Sequence, residues 1–238
     1  MSLIFKGDNL YKTYQNQIIP FPEIKIIKDK ITIITGKTGI GKTTLLNMLG
    51  LMDHIEFTED SDIRFNISLF NDKNNDIHYK KMNKHKEIEH IRNTYFGFMF
   101  QQDQLIDTMN GWQNLSMPLL VRSSKISMKE AREKIENLLI DYQFEDMLEN
   151  NLMDRSPATY SGGQRQRSSL IRAIIHEPKV LFADEPLASV DEKTAKNILN
   201  VLKQKANEGT TIILVIHNTH LNLLKNTDHE EINLEGNE

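Results

Sequence analysis

Along this 238-residue chain, apolar positions gather into runs of two kinds. The first kind is continuous and rich in β-branched or aromatic side chains: Ile31-Thr32-Ile33-Ile34-Thr35, Tyr95-Phe96-Gly97-Phe98-Met99-Phe100, Val180-Leu181-Phe182-Ala183 and Thr211-Ile212-Ile213-Leu214-Val215-Ile216. Such runs predict short buried strands. Ile63-Arg64-Phe65-Asn66-Ile67-Ser68-Leu69 alternates instead, which predicts a strand half exposed to water. Leu3-Ile4-Phe5 predicts another strand, at a sheet edge. The second kind recurs every three or four positions, at Leu45, Met48, Leu49 and Met52 and at Leu170, Ile171, Ile174 and Ile175, and predicts helices with one buried face. Further helices are predicted over about 79–92, 112–121, 128–140 and 144–149. The last three are separated by Pro118 and polar breaks and suggest a small helical subdomain, with Trp112 anchoring its packing. Asn71-Asp72-Lys73-Asn74-Asn75-Asp76 reads as a turn, and the acidic segment 228–238 is expected to be partly frayed.

Chemistry enters where the first buried strand ends. Gly36-Lys37-Thr38-Gly39-Ile40-Gly41-Lys42-Thr43 fits the phosphate-loop pattern G-x-x-x-x-G-K-[ST] and sits between a predicted strand and a predicted helix, the context that the pattern needs. The odds of a chance match in such a chain are about one in a hundred. Glycines let backbone N–H groups turn inward round a phosphate chain, and the helix start adds partial positive charge. Lys42 would meet the β- and γ-phosphates, and the Thr43 hydroxyl would ligate Mg²⁺.

Two other strand ends carry matching groups. Asp184 and Glu185 close the run 180–183, with Pro186 unable to extend a ladder. Asp184 would hold Mg²⁺ and Glu185 would act as general base on water. Gln101 ends the run 95–100, where its carbonyl either reaches a metal ion or water or is simply solvated. His217 ends the run 211–216, where it either orients water and senses the γ-phosphate or merely caps the strand. Ser161-Gly162-Gly163-Gln164 opens a helix as a capping box, and the same geometry presents N–H groups to an anion. Tyr11 or Tyr14 could stack on an adenine ring, although composition alone favours an interior tyrosine for either.

Composition narrows the class. With 39% hydrophobic and 26% charged residues and a net charge of −4, the chain is long enough for a large core and shows no basic balance that would point to nucleic acid. The run Lys80-Lys81-Met82-Asn83-Lys84-His85-Lys86 reads as a solvated helix face. His78, His85 and His90 have no metal-ligand spacing. Cysteine is absent, so disulfides and thiolate metal sites are excluded. Neither a signal peptide nor an apolar run of spanning length is seen, so a cytoplasmic chain is expected that meets a membrane only through a partner.

Taken in order, these motifs resemble the ATP-binding subunit of ABC transporters over nearly the whole chain. Residues 36–43 resemble its Walker A loop, Gln101 its Q-loop glutamine and Ser161-Gly162-Gly163-Gln164 its signature motif. Residues 180–184 resemble Walker B, Glu185 its catalytic glutamate, Ala188-Ser189-Val190-Asp191 its D-loop and His217 its switch histidine. Phe96-Gly97-Phe98-Met99-Phe100-Gln101-Gln102 and Ala183-Asp184-Glu185-Pro186-Leu187-Ala188 are similar to the lipoprotein-release and macrolide- or peptide-export branch. Tyr160 stands where leucine is usual, Ile216 and Asn218 flank His217 in place of threonine and aspartate, and Ile40 replaces a small residue. The stretch from Lys42 to Gln101 is also longer than usual.

The resemblance implies an α/β fold: a P-loop NTPase core with a mainly parallel sheet flanked by helices, a small antiparallel β region and an inserted α-helical subdomain. It implies a single domain over 1–238, with the core at about 1–102 and 158–238 and the helical subdomain at about 103–157. It implies ATP and Mg²⁺ as ligands. Nucleotide contacts would come from Tyr14, here the adenine-stacking aromatic, from Gly36, Lys37, Thr38, Gly39, Ile40, Gly41, Lys42, Thr43 and Thr44, and from Ser161, Gly162, Gly163 and Gln164. Thr43, Gln101 and Asp184 would serve the metal, and Glu185, His217, Gln101 and Lys42 catalysis. The partners implied are a second copy of the chain, bound head to tail by ATP, and integral-membrane permease subunits at the inner face of the cell membrane. A soluble ABC ATPase of DNA repair or translation is the alternative, but the long coiled coils of the one and the doubled cassette of the other are missing. A small-molecule kinase would leave the signature motif unexplained.

Overall fold

The computed structural model describes residues 2–14, 17–53, 58–67, 70, 76–82, 85–123, 125–188, 190–216, 218–224 and 227–235, with the side chains of Tyr14, Gln17, Asn218 and Thr219 outside that description. Its centre is a five-stranded sheet built from β5 (Ile31–Thr35), β8 (Phe96–Met99), β9 (Val180–Asp184), β10 (Thr211–Val215) and β11 (His229–Asn233). The strand order is β11-β5-β10-β9-β8 and every pairing is parallel. The continuous apolar runs are explained by burial on both faces. Ile31, Ile33, Leu181, Ala183, Ile212 and Leu214 join one core cluster, while Ile34, Val180, Phe182, Ile213 and Val215 join the other.

The first cluster is covered by α3 (Gly111–Arg122), α4 (Met128–Asp141), α5 (Gly162–Ile174) and α6 (Glu192–Asn207). The second is closed by α1 (Lys42–Leu49) and by an antiparallel sheet ordered β4-β1-β6-β7. That sheet comprises β1 (Leu3–Asp8), β4 (Ile24–Ile27), β6 (Asp62–Phe65) and β7 (Ile77–His78). A hairpin of β2 (Tyr11–Tyr14) and β3 (Gln17–Pro20) stands beside it, and α2 (His85–Tyr95) leads into β8. The α/β class, with its small antiparallel region and helical segment, is therefore present.

Several expectations need correction. β1 pairs on both sides, with β4 and β6, so it is an inner strand and not an edge. Within the segment 228–238, expected to be partly frayed, His229–Asn233 forms β11 against β5, while 236–238 lie outside the described residues. Pro118 lies inside α3. A proline cannot donate to the carbonyl four residues back, but Leu115 and Leu119 on either side are buried, so packing carries the helix through. Met52 lies beyond the end of α1 at Gly50 and is exposed. The helix expected at 79–92 is a 3₁₀ turn at Tyr79–Lys81 followed by α2. The turn at 71–75 lies outside the described residues.

Candidate active site

Because the sheet is parallel, the carboxyl ends of β5, β8, β9 and β10 share one edge, where ligands gather in open α/β sheets. β5 runs straight into the phosphate loop. Gly41, the residue before α1, has φ 106°, a left-handed conformation that glycine adopts without strain, and no side chain caps the helix start. Gly36 is constrained as well: a Cβ there would lie 3.0 Å from Ile40 Cγ2. Lys37, Thr38 and Gly39 are exposed on the loop, with Ile40 and Thr44 partly covered.

Lys42 is only 8% exposed. Its Nζ donates to the carbonyls of Gly36 at 2.7 Å and Lys37 at 2.9 Å, so the ammonium is folded over the loop that it would share with a phosphate chain. Thr43 Oγ1 donates to Asp184 Oδ1 at 3.1 Å, bringing residues 141 positions apart together. Burial pushes the Asp184 carboxyl above its ordinary range, and the neighbouring Glu185 charge adds to this, against the opposing pull of Thr43 and Lys42. A carboxylate held in that way gains from a cation beside it.

Glu185 has φ 46°, a strained conformation for a residue with a side chain. It is held there by its N–H on the Val215 carbonyl at 2.9 Å and by Gln101 Nε2, which donates to Glu185 Oε2 at 2.9 Å. Lys42, Thr43, Gln101, Asp184 and Glu185 are thus brought to one edge of the sheet. His217 and Ser189 lie outside the described residues. Tyr14 is placed by its backbone alone, at the end of β2.

Ser161, Gly162, Gly163 and Gln164 stand apart from that group. Among the described residues, no hydrogen bond or ion pair joins them to the phosphate loop. Ser161 caps α5: its Oγ accepts from Gln164 N at 3.2 Å, and Gln164 Oε1 accepts from Ser161 N at 2.8 Å. Tyr160, in place of the expected leucine, is buried and donates its hydroxyl to the Leu152 carbonyl at 3.0 Å. The space beside it explains Gly111, where a Cβ would lie 2.3 Å from the Tyr160 oxygen.

Two features are not evident from the sequence. Asp103 and Arg165, which flank Gln101 and the 161–164 motif, bind each other; only their opposite charges beside two motifs hint at it. The other is a cleft of about 370 Å³ lined from α2, β8, α3 and α5, with Phe98, Phe100, Met117 and Val121 and the arginines Arg92, Arg122 and Arg172 in its wall. Val121 is 68% exposed there, at a helical position that periodicity assigns to no particular face.

The chain has clear relatives. A family model described as "ABC transporter" matches residues 22–188. The chain is 33% identical over 223 residues to the bacitracin export ATP-binding protein BceA of Halalkalibacterium halodurans, covering 90% of this chain and 79% of that protein. It is 34% identical over 195 residues to the lipoprotein-releasing system ATP-binding protein LolD of Buchnera aphidicola subsp. Schizaphis graminum, covering 82% and 76%. Among solved structures, the dimeric bacterial ABC transporter cassette MJ0796 aligns with a TM-score of 0.78 at 26% identity, over 97% of this chain and 94% of that one. A post-hydrolysis dimer of the same cassette bound to ADP and phosphate aligns with a TM-score of 0.75 at 28% identity, over 92% and 89%.

Proposed function

Because the chain belongs to the ABC transporter family and is an ATPase of that family, we propose that its ATP hydrolysis drives a membrane permease of the lipoprotein- or peptide-export type. The observation that carries the catalytic part is the convergence of Thr43, Asp184, Glu185 and Gln101 through bonds of 3.1 Å and 2.9 Å. Lys42 and the bare start of α1 take the β- and γ-phosphates, with Tyr14 stacking on the adenine ring. Glu185 accepts a proton from the attacking water once Gln101 releases it, and His217 orients the γ-phosphate.

Thr43, Asp184 and Gln101 offer oxygen donors that fit Mg²⁺, which takes few protein ligands beside phosphate oxygens. When bound, that ion would neutralise charge on the β- and γ-phosphates. Among the described residues no cluster of three or more His, Cys, Asp or Glu could hold a metal, so the nucleotide itself would complete the coordination.

The site is completed by a second copy, whose Ser161, Gly162, Gly163 and Gln164 face the γ-phosphate across a head-to-tail dimer. The dimeric MJ0796 cassettes support this reading. No described helix is long and apolar enough to cross a membrane. The permease would instead dock in the cleft at Phe98, Phe100 and Val121, whose mainly apolar lining with arginines among it suits an amphipathic helix carrying acidic side chains. That would keep the chain on the inner face of the membrane. A photo-crosslinker at Val121, used in intact membranes, should capture a multi-spanning protein. Capture of ribosomes or DNA alone would hand the function to the soluble-ATPase alternative.

A further inference from the structure

The loop after Gln101 is tied to the helix that carries Ser161. Arg165 donates from Nε to Asp103 Oδ2 at 2.7 Å and from Nη2 to Asp103 Oδ1 at 2.9 Å, a two-pronged pair. Its remaining nitrogen donates to the Pro157 carbonyl at 2.8 Å and to Asp107 Oδ1 at 3.3 Å. Arg172, two turns further along α5, donates to the Asp103 carbonyl at 2.5 Å and the Gln104 carbonyl at 2.7 Å. An exposed ion pair would contribute almost nothing. Here the side chains are only 16% and 26% exposed and the guanidinium has fixed partners on three sides. Burial disfavours the charge on Asp103, but the bonds from Arg165 and Leu105 N–H outweigh it and hold the carboxyl below its ordinary range.

Both ends of this clamp lead to candidate site residues. Arg165 N–H donates to the Ser161 carbonyl at 2.9 Å, so the clamped residue makes the first helical bond of the 161–164 cap. Gln101, two residues before Asp103, is bonded to Glu185. A path therefore runs from Glu185 through Gln101, Asp103 and Arg165 to Ser161 within one chain. Gln101 is bonded to Glu185 here; in the proposed active state it would turn towards nucleotide and metal, which would make it the two-state element of this path.

We propose that Asp103 and Arg165 are a positioning pair, which sets Ser161 according to the state of Gln101 and so lets one nucleotide site report to the site that Ser161 completes in the partner copy. This rests on the composite dimer proposed above. In such a dimer, Gln101 and Ser161 of one chain serve different ATP molecules, and a rigid link between them couples the two.

The test uses full-length protein carrying Glu185→Gln, with Asp103→Asn or Arg165→Gln added. Affinity for a fluorescent ATP analogue at low protein concentration should stay within about twofold, because neither residue touches that chain's own nucleotide. The protein concentration giving half dimer with ATP should rise about tenfold, the middle of the range for directly coupled residues. In the Glu185 parent the Hill coefficient of ATP turnover should fall towards one, and the exchange Asp103→Arg with Arg165→Asp should restore part of the loss. Dimerisation and Hill coefficient unchanged in both variants would overturn the positioning role. If Arg165→Gln fails to fold, Asp103→Asn, nearly identical in shape, decides alone. Failure of the Glu185→Gln parent to dimerise would instead remove the composite site itself, and this proposal with it.

Discussion

The starts of α1 and α5 are both rich in glycine, and they are finished in opposite ways. At α5, Ser161 and Gln164 satisfy each other's backbone N–H groups, as Asn110, Ser127 and Asp191 cap α3, α4 and α6 by side chains of their own. At α1 the cap position is Gly41, no side chain closes the first turn, and Lys42 is turned back on loop carbonyls. A helix start leaves four N–H groups unsatisfied within the helix. Where these are not met by the chain itself, the fold holds a place for an anion. The contrast supports the proposal that α1 is the primary phosphate site. By the same contrast, α5 closes its own first turn and presents Ser161, whose hydroxyl accepts from Gln164 N and can still donate outward.

The bare end should be the more sensitive to loss of charge. Lys42→Ala would remove the cation proposed for the β- and γ-phosphates, and ATP turnover should fall roughly 100- to 1,000-fold, the cost of losing one charge-stabilising donor. Turnover and nucleotide affinity unchanged in a well-folded variant would remove α1 from the site.

The closed helix differs at its far end too. Burial pushes His176, just past α5, down to about 4, and Arg122 and Lys134 add to this while the Phe96 and Glu177 oxygens oppose it. The folded state thus keeps His176 neutral while the unfolded chain binds a proton below about pH 6.5, so stability is lost as pH falls from there towards 4. The group's share is at most about 3 kcal/mol. Urea unfolding across that window should show a shallower pH slope for His176→Gln. Equal slopes would mean that the imidazole is not held neutral.

The smallest effect belongs to the cap. Ser161→Ala should lower the stability of the nucleotide-free protein by about 1 kcal/mol and leave its own ATP affinity unchanged. A loss of monomer affinity would erase the distinction between the two helix starts.

Much of this was legible in the sequence, for identifiable reasons. The runs at 31–35, 180–183 and 211–216 announce buried strands, because a strand covered on both faces has no solvent side to alternate with. The phosphate loop and Asp184-Glu185 carry their chemistry in contiguous residues. β11 was hidden because an edge strand is held chiefly by backbone pairing, and His229-Glu230-Glu231-Ile232-Asn233 contains only Ile232 as a buried apolar anchor. The inner position of β1 was hidden because three apolar residues look alike at an edge and in the middle of a sheet. The Asp103–Arg165 clamp joins residues 62 positions apart, which no local pattern encodes.

Everything proposed for the two helix starts depends on the α1 site of one chain being completed by the α5 cap of another. Light scattering on the Glu185→Gln protein at high concentration puts this to the proof, since an amide of nearly the same shape keeps ATP bound while removing the base. The expected result is a dimer with ATP and a monomer without it, and no dimer once Ser161→Arg is added. Dimerisation that ignores nucleotide, or that survives the Ser161 change, would contradict the composite site.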